Sequence, residues 1–258
     1  QLATRYAVGF SIAATIWFIS AFVPAPFSIV LWVIGMVVDF ASPLNAKSVE
    51  LNRKLPVHIP HMMERYGIFI IIVLGESFVK VLSSMSGSQL TLGVGTFGIF
   101  AMIVVAGLWW LYFDDIAGVP LRPASRSTYT WIYAHLPLAI ALTAFGVGAK
   151  KLIELVSDPY LPDKYRWLAG GALIIYLVSV GFVNMVLVAS SRGLSPRSRS
   201  YLRFAGAAII FAFTLLGTDL SSTAFIAQCA TVYAAKIVIE LVTGDRQRAR
   251  DGMEEAQA

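Results

Sequence analysis

The chain has 258 residues, of which 57% are apolar and 14% charged, with a formal net charge of +5. An average soluble domain carries about 25% charged residues, so this composition leaves too little polar surface to cover a globule in water, and its high hydrophobicity excludes intrinsic disorder. The solvent it suits is a bilayer, whose roughly 30 Å of hydrocarbon is crossed by a helix of about 20 apolar residues.

Apolar runs fall at Tyr6–Val23, Ala25–Ala41, Gly67–Met85, Thr91–Phe113, Trp131–Ala149, Leu168–Ser190, Tyr201–Thr218 and Thr223–Thr243. Their length and polar flanks predict an all-α, polytopic transmembrane bundle of about eight spans over residues 1–243, followed by a soluble cytoplasmic tail at 244–258. Because Gln1 is not an initiator methionine and no signal-peptide cleavage site follows, the chain is expected to begin inside a longer protein.

The cations set the expected orientation. Arg5, then Lys47, Arg53 and Lys54, then Arg122 and Arg126, then Arg192, Arg197, Arg199 and Arg203, then Arg246, Arg248 and Arg250 fall in one set of alternate loops. The opposite set holds Lys164 and Arg166. The positive-inside rule then puts both ends in the cytoplasm and reads the basic residues as topology signals rather than as a nucleic-acid surface.

The third run carries the most chemistry. Pro60 suits a first helical position, and Glu64 then lies near the positive end of the helix dipole. His61, Arg65, Glu76 and Lys80 share one side of this helix. Arg65 and Glu76 are separated by about 16 Å of rise and cannot pair with each other, whereas Glu76 and Lys80 stand at the favourable i,i+4 spacing. Each charge placed in hydrocarbon costs about 2.5–3.5 kcal/mol, so the stripe is expected to face the bundle interior or a wet cavity. The bland alternative has Arg65 at headgroup level and Glu76–Lys80 as a structural ion pair.

Asp39, Asp114 and Asp115 are candidate counter-charges for Arg65, and His135 lies at similar depth with a side chain suited to proton exchange. His135 equally suits a hydrogen-bonded core position beside Pro137. On the opposite side Lys150, Lys151 and Glu154 would join Glu76 and Lys80 in an outer charged layer, or would simply mark the membrane boundary. His58, His61 and Glu64 point in different directions around Pro60 and do not make a metal set. The single Cys229 forms no internal disulfide, and no catalytic motif is present, so no metal, cofactor or enzymatic activity is expected. Trp109, Trp110, Tyr112 and Phe113 read as an interfacial belt, while Gly93, Gly95 and Gly98, and Ala144 with Gly148, permit close helix approach. Lys150–Val156 and Lys236–Val242 are alike in sequence and sit on helices expected to run oppositely, the arrangement of an inverted repeat.

The run Glu64-Arg-Tyr-Gly-Ile-Phe-Ile-Ile-Ile-Val-Leu-Gly-Glu76-Ser77 resembles the signature of the bacterial low temperature requirement A (LtrA) family, with Trp32, Asp39 and His135-Leu-Pro137 fitting the surrounding pattern. The resemblance extends over Gln1–Thr243 and implies a multi-pass bacterial inner-membrane protein, with Glu64, Arg65, Gly75 and Glu76 as its signature positions. The acidic-aromatic segment that the family usually carries in earlier spans is not found here, so any cavity shared with those spans would be incomplete.

Together these readings favour a transporter or channel for a small solute or ion, with Arg65, Glu76, Lys80, His61, Glu64, His135, Asp39, Asp114, Lys150 and Glu154 as candidate pathway residues. A non-transporting membrane subunit or sensor, whose intramembrane charges are structural, is the alternative. A lipid-acting enzyme comes third. The expected partners are the bilayer and the solute, without nucleic acid, and self-association or membership of a membrane complex stays open.

Overall fold

Eight long α-helices follow one another in the described residues of the computed structural model, which are 2–44, 50, 58–87, 91–123, 125–188 and 194–255. They are α1 (Leu2–Ser20), α2 (Phe27–Ala41), α3 (Ile59–Gly87), α4 (Leu92–Phe113), α5 (Ser125–Glu154), α6 (Asp163–Val186), α7 (Pro196–Leu216) and α8 (Ser222–Glu255). Among these residues there is no β-strand, and one isolated bridge joins Leu121 to Leu187. Seven of the helices, α2 with its following turn included, are long and apolar enough to cross a membrane, and the apolar stretch Tyr6–Ser20 of α1 is shorter. Lys47, Arg53, Lys54 and Arg192, and the side chains of Arg5, Arg246, Arg248 and Arg250, lie outside the described residues. The helix of the last span continues beyond Thr243 to Glu255.

The chain divides into two compact units, Gln1–His58 and Ile59–Ala258. In the first, α1 packs on α2. The Trp32 indole donates to Ser20 Oγ at 2.8 Å, and Ser20 Oγ donates back to the Trp17 carbonyl at 2.6 Å, which satisfies polar groups that lipid could not.

In the second unit α6 is the most buried span, flanked by α5 and α7; α3 packs on α4 and α5, and α8 on α4 and α7. Local chemistry sets several starts. Thr91 Oγ1 accepts from the Val94 amide ahead of α4, and Ser195 Oγ accepts from the Ser198 amide ahead of α7, whose first residue is Pro196. Helix α3 begins at Ile59, beside the expected Pro60 start, and turns Met63, Ile70, Leu74, Ser77 and Val81 inward. At about 100° per residue this inward face lies opposite the Arg65–Glu76 side. Ser77 Oγ fastens α3 to α5 by donating to the Leu142 carbonyl at 2.7 Å.

Close packing follows three of the expected small residues, and a Cβ on Gly93 would lie 3.0 Å from a Val156 methyl. A Cβ on Gly148 would lie 3.0 Å from the Ala169 backbone, and one on Gly98 would overlap the Met85 side chain, whereas Gly95 faces open space. Short backbone links then fix the connections. At the exit of α4, the Arg122 amide donates to the Val186 carbonyl at 3.0 Å, the Val188 amide donates to the Pro120 carbonyl at 2.8 Å, and Arg122 Nε donates to the Leu187 carbonyl at 3.0 Å. The segment that carries Asp115 is thereby tied to the end of α6.

Candidate functional site

Five ionisable side chains gather where α4 ends and α7 begins. Asp115, just past α4, accepts from Arg199 Nη1 at 2.7 Å through Oδ1 and from Arg203 Nη2 through Oδ2. Arg203 Nη1 in turn donates to Glu240 Oε1 of α8. Arg199 and Arg203 stand four residues apart and share one face of α7; Lys236 and Glu240 do the same on α8. By helix rise, Arg203 lies about 10 Å inside α7 from Pro196. The side chains of Asp115 and Arg203 are 1% and 0% exposed, and Lys236 is 3% exposed. Such a network spans three chain segments with its charges desolvated, a costly arrangement that persists because each carboxylate meets a guanidinium.

Not every polar atom of the cluster is satisfied. Lys236 Nζ, Arg203 Nε, Glu240 Oε2 and Tyr233 Oη are buried without a hydrogen-bond partner among the described residues. Lys236 Nζ lies 5.9 Å from the centroid of the Tyr233 ring, and a Cβ on Gly206 would come within 3.0 Å of that nitrogen, so this glycine leaves the lysine its place against α7. Beside the network a cleft is lined by Asp115, Asn184, Arg199, Leu187 and Leu194. Asn184 is 1% exposed, and both polar atoms of its amide lack partners among the described residues. A buried amide left so costs about 1–3 kcal/mol unless water or a ligand completes it.

The residues singled out from sequence fall in several places. Arg65 and Glu76 stand exposed on α3, with Glu76 Oε1 3.2 Å from Lys80 Nζ, and His61 Nδ1 lies 3.7 Å from Glu64 Oε2, also on the surface. The shelter expected for the stripe is therefore not supplied by the described residues, because the apolar positions of α3 claim the inward face. Asp39 is half-buried in the first unit and Asp114 is exposed, whereas its neighbour Asp115 is buried in the ion network. Lys150 and Glu154 are exposed, Glu154 accepting from Lys151 Nζ at 2.7 Å.

His135 is a core residue. Its Nδ1 lies 2.6 Å from the Trp131 carbonyl and its Nε2 3.0 Å from Tyr112 Oη, while the rings of Tyr66 and Trp131 pack around it. A carbonyl can only accept, so Nδ1 carries the hydrogen there, which leaves Nε2 to accept a hydrogen bond from the Tyr112 hydroxyl. The two similar heptapeptides occupy different surroundings: Lys150 is exposed and Lys236 is buried.

Arg199 and Arg203, which cation counting places in a loop, lie within α7, and no sequence pattern marks Asn184. Arg166, assigned to the opposite loops, is 2% exposed within α6, where its Nε donates to the Thr214 carbonyl at 2.8 Å and its Nη2 lies 2.9 Å from Asp163. The available signal was the i,i+4 spacing of Arg199 with Arg203 and of Lys236 with Glu240, two charged faces on adjacent spans.

The comparisons with known proteins give the family. The family model described as bacterial low temperature requirement A protein (LtrA) matches residues 1–239. An uncharacterized protein of Rhizobium meliloti (strain 1021) is 23% identical over 252 residues, which cover 92% of this chain and 58% of that protein. The chain thus spans little more than half the length of this relative. No solved structure matches. With the signature run on α3 and a match over nearly its whole length, this multi-pass membrane protein belongs to the bacterial low temperature requirement A family.

Proposed function

We propose that the protein is a transporter or channel for a small solute or ion in the bacterial inner membrane, not an enzyme, with both ends of the chain in the cytoplasm. The observation that carries this reading is Lys236: an amine 3% exposed, inside a candidate span, with no hydrogen-bond partner among the described residues. Ionisable groups within spans are rare and mark solute or ion paths by default. The neighbouring cleft, in which Asp115, Arg199 and Asn184 meet, gives the charged cluster a polar edge that a purely structural clamp does not need. On this reading the exposed Arg65–Glu76 side of α3 forms a second polar surface of the pathway.

Reconstitution of the full-length protein into liposomes tests the proposal through solute flux. Lys236→Gln should abolish or strongly reduce flux while helicity and elution volume stay unchanged. Wild-type vesicles that pass nothing across a broad panel of ions and small solutes would refute it.

The alternative is a non-transporting subunit or sensor whose buried charges hold helices together. Asp115 favours it, since its carboxylate joins the α4 exit to two arginines of α7. A clamp of this kind predicts that Asp115→Asn unfolds the protein while Lys236→Gln changes nothing measurable.

A further inference from the structure

Resting on the transport reading, we infer that the solute is a small monovalent anion, received in the cleft where Asn184 and Arg199 meet. The first argument is charge. Asp115 and Glu240 face Arg199, Arg203 and Lys236, so the buried cluster holds three basic groups against two acidic ones, and an anion beside it would favour the charged form of the lysine. In surroundings of low dielectric an uncompensated charge acts over several ångströms and attracts a counter-ion.

The second argument is the set of unmet donors. Both oxygens of Asp115 are occupied by the arginines, so the carboxylate that lines the cleft is already neutralised on its inner side. Asn184 Nδ2 lies in the wall of the same cleft with nothing to donate to among the described residues. Deeper in the cluster, Arg203 Nε and Lys236 Nζ are also without acceptors, outnumbering the single unmet carboxylate oxygen, Glu240 Oε2. Donors in excess of acceptors, around a positive surplus, suit an anion rather than a metal cation.

Size is the third argument. The cleft leaves room for about one water-sized particle, and Val119, Leu187, Val188 and Leu194 make its walls apolar. Such a space takes a weakly hydrated ion of the size of chloride, bromide or nitrate. Larger organic anions exceed it. The buried amide oxygen of the asparagine would then accept from a water of the ion's remaining shell.

Titration of the purified full-length protein with sodium chloride, bromide or nitrate, balanced by sodium gluconate at constant ionic strength and followed by calorimetry and chloride NMR line width, tests the inference. Saturable binding of the small anions is expected. Asn184→Leu and Lys236→Gln should each weaken it at least ten-fold, and Glu240→Gln should strengthen it several-fold by removing one of two competing carboxylates. That opposite sign separates anion binding from general damage to the fold. No saturable binding by wild type, or binding indifferent to Asn184→Leu and Lys236→Gln in folded protein, overturns the inference. Anion binding without flux of any solute in the same protein reconstituted into liposomes would leave the site standing and reject the transport reading. Flux of another solute without anion binding would do the reverse.

Discussion

Asp115 and Arg199, eighty-four residues apart in the chain, form a hydrogen-bonded ion pair of 2.7 Å with the carboxylate 1% exposed. Removing one member of a buried pair leaves the other charged and desolvated, at a cost of about 3–5 kcal/mol. Asp115→Asn is therefore expected to lower stability by about that amount, since it removes the carboxylate charge that Arg199 and Arg203 both bond. Thermal unfolding in detergent measures it, and an unchanged midpoint would contradict the network.

The hydrogen bond from Tyr112 to His135 gives a milder expectation. Tyr112→Phe keeps the ring that packs on the histidine and leaves Nε2 buried without its donor. A loss of about 1–3 kcal/mol follows for an unmet buried acceptor. Denaturant titration of the variant against wild type reads it directly.

On α3, Glu76 and Lys80 pair at 3.2 Å with the carboxylate side chain 60% exposed. Pairs this open contribute less than about 1 kcal/mol. Glu76→Gln should leave the unfolding midpoint nearly unchanged, so a fall in liposome flux with that variant would assign the residue to the pathway rather than to the fold.

Gly146 supplies a packing test. A Cβ there would lie 2.9 Å from Ser77 Cα, a backbone atom of α3 that cannot swing aside as a side chain would. Gly146→Ala is expected to destabilise the α3–α5 contact by about 1–3 kcal/mol through overpacking. Accelerated hydrogen exchange in α3 and α5 would localise the effect.

The helical architecture was legible because it follows from composition and run length, which act locally. A 22-residue apolar stretch such as Leu92–Phe113 has few alternatives to a span. Pro60 likewise announced the start of α3 through local chemistry. The ion network was not legible for the opposite reason. Arg203 meets Asp115 across 88 residues, and no spacing rule reports which face of α7 turns toward α4 and α8. Counting cations treated Arg199 and Arg203 as boundary markers because they follow a polar segment, whereas helix α7 begins at Pro196 and carries both inside. The charged side of α3 was visible in the spacing, but its direction was decided by Met63, Ile70 and Leu74 on the other face.

The stitching of Leu121 and Arg122 to the last turn of α6 has a mechanical consequence. It makes the exits of α4 and α6 a single lever, so Asp115 cannot drift alone. A movement of α7 against that pair would open the arginine clasp, and at its other end the bond from Arg166 Nε to the Thr214 carbonyl ties α7 to α6.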